Sequence, residues 1–106
     1  MVVVLMLAGL AAAQTDAAKP LKLAQTVAMP GVEGRIDHLA VDVKGKRLIV
    51  SALATDRVEV FDLATGKALA HLNVKQPAGV GYIADSNLIV ADSEGDNNCQ
   101  MFDGES

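Results

Sequence analysis

Three side chains that could bind a ligand or a metal lie close together in the first half of the chain. Arg35, Asp37 and His38 supply a guanidinium fork, a carboxylate and an imidazole. A guanidinium fork suits an anionic ligand, and a carboxylate with an imidazole could share a metal with other groups. The alternative is structural, with Asp37 and His38 bonding turn backbones and Arg35 pairing with a nearby carboxylate. We predict these three as ligand-binding residues, and the sequence indicates no catalytic and no metal-binding residue.

A second polar stretch, residues 92–98, is acidic and contains one glycine. Calcium prefers several oxygens that converge from alternate positions of one loop. The EF-hand pattern fails here, because the glycine stands at the fourth place and no glutamate closes a twelve-residue loop. Gly, Asn and Asp are also the residues that a hairpin loop uses for positive φ. The sequence therefore favours a hairpin loop over a calcium site.

Other chemistry-bearing residues favour structural roles. Asp62 and Asp103 recur at the ends of two similar segments, where a carboxylate can accept backbone N–H bonds from the following turn. No Ser-His-Asp order, phosphate-binding loop or dinucleotide fingerprint is present. Cys99 is the single cysteine, so no paired-cysteine metal motif exists. We expect no cofactor.

Composition argues against a nucleic-acid partner. The formal net charge is −4, and the nine basic residues are scattered along the chain. The densest group, Lys44, Lys46 and Arg47, surrounds one glycine and is typical of a solvated hairpin turn. Hydrophobic residues make up 51% of the chain but aromatic residues only 3%, which predicts an aliphatic core.

Residues 1–13 have the pattern of a signal peptide. A short apolar run ends in three alanines, and polar residues follow from Gln14. The run is too short to span a bilayer, which takes about 20 apolar residues. We expect the mature chain to begin near Gln14, to be periplasmic or secreted, and to have no membrane span after signal removal.

The mature chain contains an internal repeat. Phe102 follows Phe61 at an offset of 41, and at the same offset residues 39–41 match 80–82. The best match in letters, 48–50 against 88–90, has an offset of 40. This predicts that one residue is lost near Asn87 and regained in the loop at 93–98, since loops absorb length changes easily.

Each unit has the apolar pattern of β-strands. Val58 and Val60 alternate with Glu59 and Phe61, and residues 48–50 form the apolar triplet expected of a strand buried on both faces. Turn-forming residues separate the strands at even spacing. The predicted strands are 38–43, 47–52, 57–62 and 68–74 in the first unit, and 79–83, 87–91 and 98–102 in the second.

The two units resemble the YVTN-repeat β-propellers, the YncE-like group of bacterial periplasmic and secreted proteins. Residues 48–51 and 88–91 occupy the place of the family's strand motif, and residues 58–67 look like its next strand and Asp-x-x-Thr-Gly turn. Ile49 and Ile89 stand where the family has its name-giving tyrosine. The resemblance implies a ring of roughly seven blades.

The predicted fold class is therefore all-β, a β-propeller with about two four-stranded antiparallel blades of a longer ring. Residues 14–106 would form this partial propeller, with a strand-D-like segment at 21–28, a blade at 38–74 and an incomplete blade at 79–106. The remaining blades would come from the same chain. In a propeller, the link from an outer strand to the next inner strand lies at the channel face, where ligands often bind. That placement puts residues 35–38 at the channel face.

The predicted function is a non-catalytic binding or scaffold module that acts through the channel face. Its partner would be a protein, an envelope component or a small ligand. The alternative is a lactonase-like hydrolase with a metal at the channel mouth. The second unit has Ala78 and Gly79 where the first has Asp37 and His38, which favours binding over metal catalysis. Two blades alone would leave sheet faces uncovered, so we expect poor folding or self-association.

Overall fold

The fold was analysed in a computed structural model, which describes residues 20–105. The predicted signal peptide at 1–13 and the predicted mature start at Gln14 lie outside the described residues. Within residues 20–105, no helix has the length and apolar character needed to cross a membrane.

Two antiparallel sheets account for most of the described chain. The first sheet contains, in chain order, β1 (Leu39–Asp42), β2 (Arg47–Ala52), β3 (Arg57–Asp62) and β4 (Ala68–Asn73). The second contains β5 (Pro77–Ile83), β6 (Leu88–Ser93) and β7 (Asn98–Asp103). Two short 3-10 turns, Leu53–Thr55 and Ala84–Ser86, complete the regular structure within residues 20–105. The all-β prediction is confirmed, and each strand predicted after residue 37 is present within two residues of its expected bounds.

The strand-D-like segment at 21–28 joins neither sheet. An outer strand needs the neighbouring strand of its own unit as a ladder partner, and residues 20–38 contain no such strand. The residues that follow this segment contact the start of β3 and the turn before it instead. The Arg57 guanidinium donates to the Gly31 carbonyl at 2.9 Å, and the Glu33 amide donates to Thr55 Oγ1 at 3.2 Å.

The two units follow one another at a constant sequence offset of 41. In the first hairpin Ala40 pairs with Ile49, and in the second Gly81 pairs with Val90. Left-handed backbone conformations recur at the same spacing, at Lys46 and Asn87 before the second strand, and at Asp56 and Asn97 before the third. The loops between these strands have equal lengths in both units. The offset of 40 predicted for residues 48–50 and 88–90 is therefore wrong, and no residue is lost near Asn87.

The error has a simple physical cause. Side chains along a strand alternate between the two faces, so a shift of one residue exchanges the faces. Ile49 packs toward the second sheet, whereas Ile89 packs toward the first. The two isoleucines match in letters but occupy opposite faces of their sheets.

The core lies between the two sheets and is aliphatic, as predicted. Val58 and Val60 point into it, while Glu59 and Phe61 are buried on the opposite face of β3. The strand β2 is buried on both faces from Ile49 to Ala52, as the apolar triplet predicted. The fully buried members of the core are Ile49, Val58, Val60, Val74, Ile89 and Ala91, flanked by Ala40, Leu72, Val80, Tyr82 and Phe102.

Candidate functional site

The structure brings Arg35, Asp37 and His38 together immediately before β1. The Asp37 carboxylate lies between the other two side chains, with Oδ2 2.9 Å from Arg35 Nη2 and Oδ1 3.0 Å from His38 Nδ1. The Arg35 and His38 side chains are 68% and 67% exposed, whereas that of Asp37 is 15% exposed. The shielded carboxylate therefore holds two exposed basic groups in place.

Backbone bonds to β2 fix this loop. The Asp37 amide donates to the Ser51 carbonyl at 3.0 Å, and the Ser51 amide donates to the His38 carbonyl at 2.9 Å. The Ala54 amide donates to the Arg35 carbonyl at 3.2 Å. A site whose backbone is already bonded loses less conformational entropy when it binds a ligand.

His38 also connects the loop to the second sheet. Its amide donates to the Ala78 carbonyl at 3.3 Å, and its Nδ1 lies 3.1 Å from the same oxygen. The amides of Ala78 and Gly79 in turn donate to Asp92 Oδ1 at 3.0 and 2.6 Å. His38 therefore lies at the seam where β1 and β5 meet.

The contacts of His38 assign its tautomer. Both neighbours of Nδ1, the Asp37 carboxylate and the Ala78 carbonyl, can only accept hydrogen bonds, so Nδ1 carries the hydrogen. In the neutral ring Nε2 then keeps its lone pair and can accept a hydrogen bond or bind a metal. Residues 20–105 contain no group of three or more His, Cys, Asp or Glu side chains placed to hold a metal ion.

The surroundings of His38 do not form a nucleophile site. Ser51 is the backbone partner of His38, but its side chain is fully buried and its hydroxyl has no hydrogen-bond partner. A nucleophilic serine must be within hydrogen-bond reach of its base. The arrangement supports binding, with the Arg35 guanidinium offering donors to an anionic group. No protein-family model and no curated protein matches this sequence.

The acidic stretch at 92–98 contains the hairpin loop between β6 and β7, which spans residues 94–97, as predicted. Asn97 adopts the left-handed conformation with φ 55°. Ser93 Oγ donates to the Lys75 carbonyl at 2.7 Å and accepts from the Asp96 amide at 3.1 Å. Asp92 binds the backbone at the start of β5, a role that the sequence pattern did not reveal.

The predicted turn-closing roles of Asp62 and Asp103 are confirmed. Asp62 Oδ1 accepts the Ala64 and Thr65 amides at 2.7 and 3.1 Å. Asp103 Oδ1 accepts the Glu105 amide at 2.9 Å. The recurrence in both units thus reflects a local turn requirement.

One polar network between the sheets was missed by the sequence interpretation. Arg47 was predicted to lie on a solvated turn, but its side chain is only 16% exposed. Its Nε donates to Asp42 Oδ2 at 2.8 Å, its Nη2 donates to Asn87 Oδ1 at 3.0 Å, and its Nη1 donates to the Gly104 carbonyl. The guanidinium also lies 5.5 Å from the centre of the Tyr82 ring. We call these five residues the inter-sheet clasp.

Part of the clasp was accessible from the sequence. Asp42 and Arg47 flank the four-residue turn of the first hairpin, so they face each other across the ladder. The other three members belong to the second unit, far along the chain, and no local pattern connects them to Arg47. Lys44 and Lys46 are exposed, as expected for the turn.

The clasp predicts how stability depends on pH. Burial by itself raises the pKa of Asp42, but the Gly45 amide, the Arg47 guanidinium and the Tyr82 hydroxyl outweigh it, so the pKa lies below 3.8. A lowered pKa contributes stability that is present above the unfolded value and is lost as the pH falls through the folded value. We expect the free energy of unfolding, measured in urea, to fall below about pH 4 with a contribution from Asp42 of at most about 1.4 kcal/mol per pH unit.

Asp42→Asn is the matched variant for this measurement, because it keeps the side-chain shape and removes the titration. The difference in unfolding free energy between wild type and Asp42→Asn should shrink from neutral pH to about pH 2.5. A difference that stays constant over this range would contradict the assignment.

Proposed function

We propose that this chain is part of an exported β-propeller of the YVTN-repeat type that acts as a non-catalytic binding or scaffold module. Two lines of observation support the architecture. The sheets have the same strand order at a constant offset of 41, and they stack face to face with β1 beside β5. Radial stacking of short antiparallel sheets is how propellers are built. The apolar segment at 1–13 and the polar residues that follow from Gln14 support a periplasmic or secreted location.

The observation that carries the binding role is the arrangement of Arg35, Asp37 and His38. The exposed Arg35 and His38 side chains are held by the shielded Asp37 carboxylate just before β1, and His38 contacts the second sheet. Only one guanidinium nitrogen of Arg35 is used by Asp37, so the other donors remain for a ligand. A carboxylate or phosphate group suits these guanidinium donors, whether it belongs to a small ligand, an envelope component or a protein side chain.

A titration with inorganic phosphate tests this role. Amide shifts in a 15N-labelled chain should saturate and centre on residues 35–38 and Ala78. Arg35→Gln should weaken the affinity about tenfold or more, because a hydrogen bond to a charged group contributes about 1.5–3 kcal/mol.

Lys44→Gln provides the control, because it removes an exposed cation from the β1–β2 turn. Its phosphate affinity should equal that of the wild type. Unsaturable shifts spread over all basic residues, or an unchanged affinity in Arg35→Gln, would count against the proposal.

A metal-dependent hydrolase remains the second candidate, and the free lone pair on His38 Nε2 is the observation that favours it. The remaining metal ligands would have to come from other units of the ring, since residues 20–105 contain no group of three or more His, Cys, Asp or Glu side chains placed to hold a metal ion. Titration with Zn²⁺ separates the two candidates. Tight binding with a large shift of His38 Nε2, compared with exposed His71 as the internal reference, would favour the hydrolase. Phosphate binding without tight Zn²⁺ binding would favour the binding module.

A further inference from the structure

The His38 imidazole keeps one ring nitrogen available to a ligand. Its Nδ1 carries the hydrogen, because the Asp37 carboxylate at 3.0 Å and the Ala78 carbonyl at 3.1 Å can only accept. Within residues 20–105, Nε2 has no hydrogen-bond partner, and the side chain is 67% exposed. In the neutral ring, Nε2 can therefore accept a hydrogen bond from a ligand but cannot donate one.

The second sheet holds the ring in this state. The amides of Ala78 and Gly79 donate to Asp92 Oδ1 at 3.0 and 2.6 Å, so the peptide that carries the Ala78 carbonyl is fixed. The same carbonyl accepts the His38 amide at 3.3 Å. If the hydrogen moved to Nε2, the lone pair of Nδ1 would face two acceptor oxygens, which is unfavourable. The surroundings of Nδ1 thus keep Nε2 as the acceptor.

The repeat does not require this imidazole. At the constant offset of 41, Ala78 and Gly79 take the places of Asp37 and His38. A Cβ on Gly79 would lie 3.1 Å from Asp92 Oδ2, so a side chain there would crowd the carboxylate that binds the backbone. Within the described chain, the imidazole and its carboxylate partner belong to the first unit alone. A ligand-contacting role accounts for this difference, whereas the strand pairing that both units share does not.

The neighbouring guanidinium has the opposite hydrogen-bonding character. Arg35 carries only N–H donors, and its bond to Asp37 at 2.9 Å uses one nitrogen. The same carboxylate holds both groups, with Arg35 Nη2 at Oδ2 and His38 Nδ1 at Oδ1. A ligand that reaches both side chains therefore meets donors at Arg35 and an acceptor at His38.

We propose that this site selects oxyanions that carry a hydrogen-bond donor of their own, such as a hydrogen phosphate group or a carboxylate with an adjacent hydroxyl. The anionic oxygens bind the Arg35 guanidinium, and the O–H of the ligand donates to His38 Nε2. An oxyanion without a hydrogen gains only the Arg35 contact and places an oxygen lone pair against that of Nε2. The proposal rests on the proposed anion-binding role and names its ligand class.

Hydrogen phosphate and sulfate are the matched probes. At about pH 8 both are tetrahedral dianions, but only hydrogen phosphate has an O–H, and histidine side chains are ordinarily neutral. Titrations of the full chain at equal ionic strength should give a dissociation constant about tenfold lower for hydrogen phosphate than for sulfate. The 15N resonance of His38 Nε2 should move with hydrogen phosphate and stay near its free position with sulfate.

Glycolate and acetate make the same comparison for carboxylates, because only glycolate has a hydroxyl. The pair with the larger affinity ratio identifies whether the preferred oxyanion is a phosphate or a carboxylate.

His38→Asn is the diagnostic variant. The asparagine amide can place an N–H donor where Nδ1 lies, toward Asp37 and Ala78, but it has no atom at the position of Nε2. Its sulfate affinity should equal that of the wild type, while the preference for hydrogen phosphate should disappear. His71→Asn is the control, because it changes an exposed histidine in β4 and should keep the wild-type preference.

Three results would overturn the proposal. These are equal affinities within both pairs of probes, a neutral His38 ring with its hydrogen on Nε2, and a wild-type preference in His38→Asn. Arg35→Gln should weaken hydrogen phosphate and sulfate by the same factor. Saturable but equal binding of the two anions would leave the anion-binding role intact and refute only the ligand class. Absence of saturable binding for every probe would instead refute the proposed function itself, so the two failures are distinguishable.

Discussion

Replacing Arg47 with methionine is expected to lower the free energy of unfolding by about 3–5 kcal/mol, because it leaves the buried Asp42 carboxylate without its counter-charge. The Asp42 side chain is only 3% exposed. Methionine fills a similar volume but donates no hydrogen bond, so Asn87 Oδ1 and the Gly104 carbonyl each lose a donor from Arg47. Urea unfolding at neutral pH measures the loss directly.

A double-mutant cycle with Asp42→Asn isolates the pair. The double variant should be less destabilised than the sum of the single variants, because it leaves no buried charge behind. Lys44→Met removes a neighbouring exposed cation and should change the unfolding free energy by no more than about 0.5 kcal/mol. Additive effects within the cycle would contradict the clasp.

Replacing Ile49 with alanine is expected to lower the free energy of unfolding by about 2–5 kcal/mol. Ile49 is fully buried between the two sheets, in one cluster with Val60, Ile89 and Ala91. The change removes transfer free energy and leaves a cavity that both sheets line, since close-packed interiors relax only in part. Thermal and urea unfolding should have a lower midpoint than in the wild type.

Ile83→Ala provides the matched control, because Ile83 is an isoleucine in a strand but is 46% exposed. Measured at low protein concentration, it should cost less than about 1 kcal/mol. Equal losses in the two variants would show that the space between the sheets is not the core that stabilises the chain.

The strands and turns could be predicted because their signals are local. Alternation within β3 and the turn residues at regular spacing depend on neighbours only a few positions away. The proximity of Arg35, Asp37 and His38 could be predicted for the same reason, since they lie within four residues of one another. Its attachment to Ala78 could not be predicted, because that bond joins residues 40 positions apart.

The repeat offset shows a second limit of prediction from the sequence. Comparing letters aligned Ile49 with Ile89 because the triplets look alike, although the strand pairing makes Val90 the equivalent of Ile49. The period of two along a strand makes a one-residue error a complete exchange of faces. For this strand of each unit, the pairing between strands and the left-handed residues at Lys46 and Asn87 fix the offset at 41.

The two contacts that His38 makes with the Ala78 carbonyl would link the proposed ligand binding thermodynamically to the contact between the sheets. A ligand that turns the imidazole must either keep the Nδ1 contact with Ala78 or give it up. If it gives the contact up, the ligand loosens the seam, and by reciprocity any change that separates the sheets alters the ligand's affinity by the same factor. The proposed ligand and the contact between β1 and β5 would thus each affect the other through this one hydrogen bond.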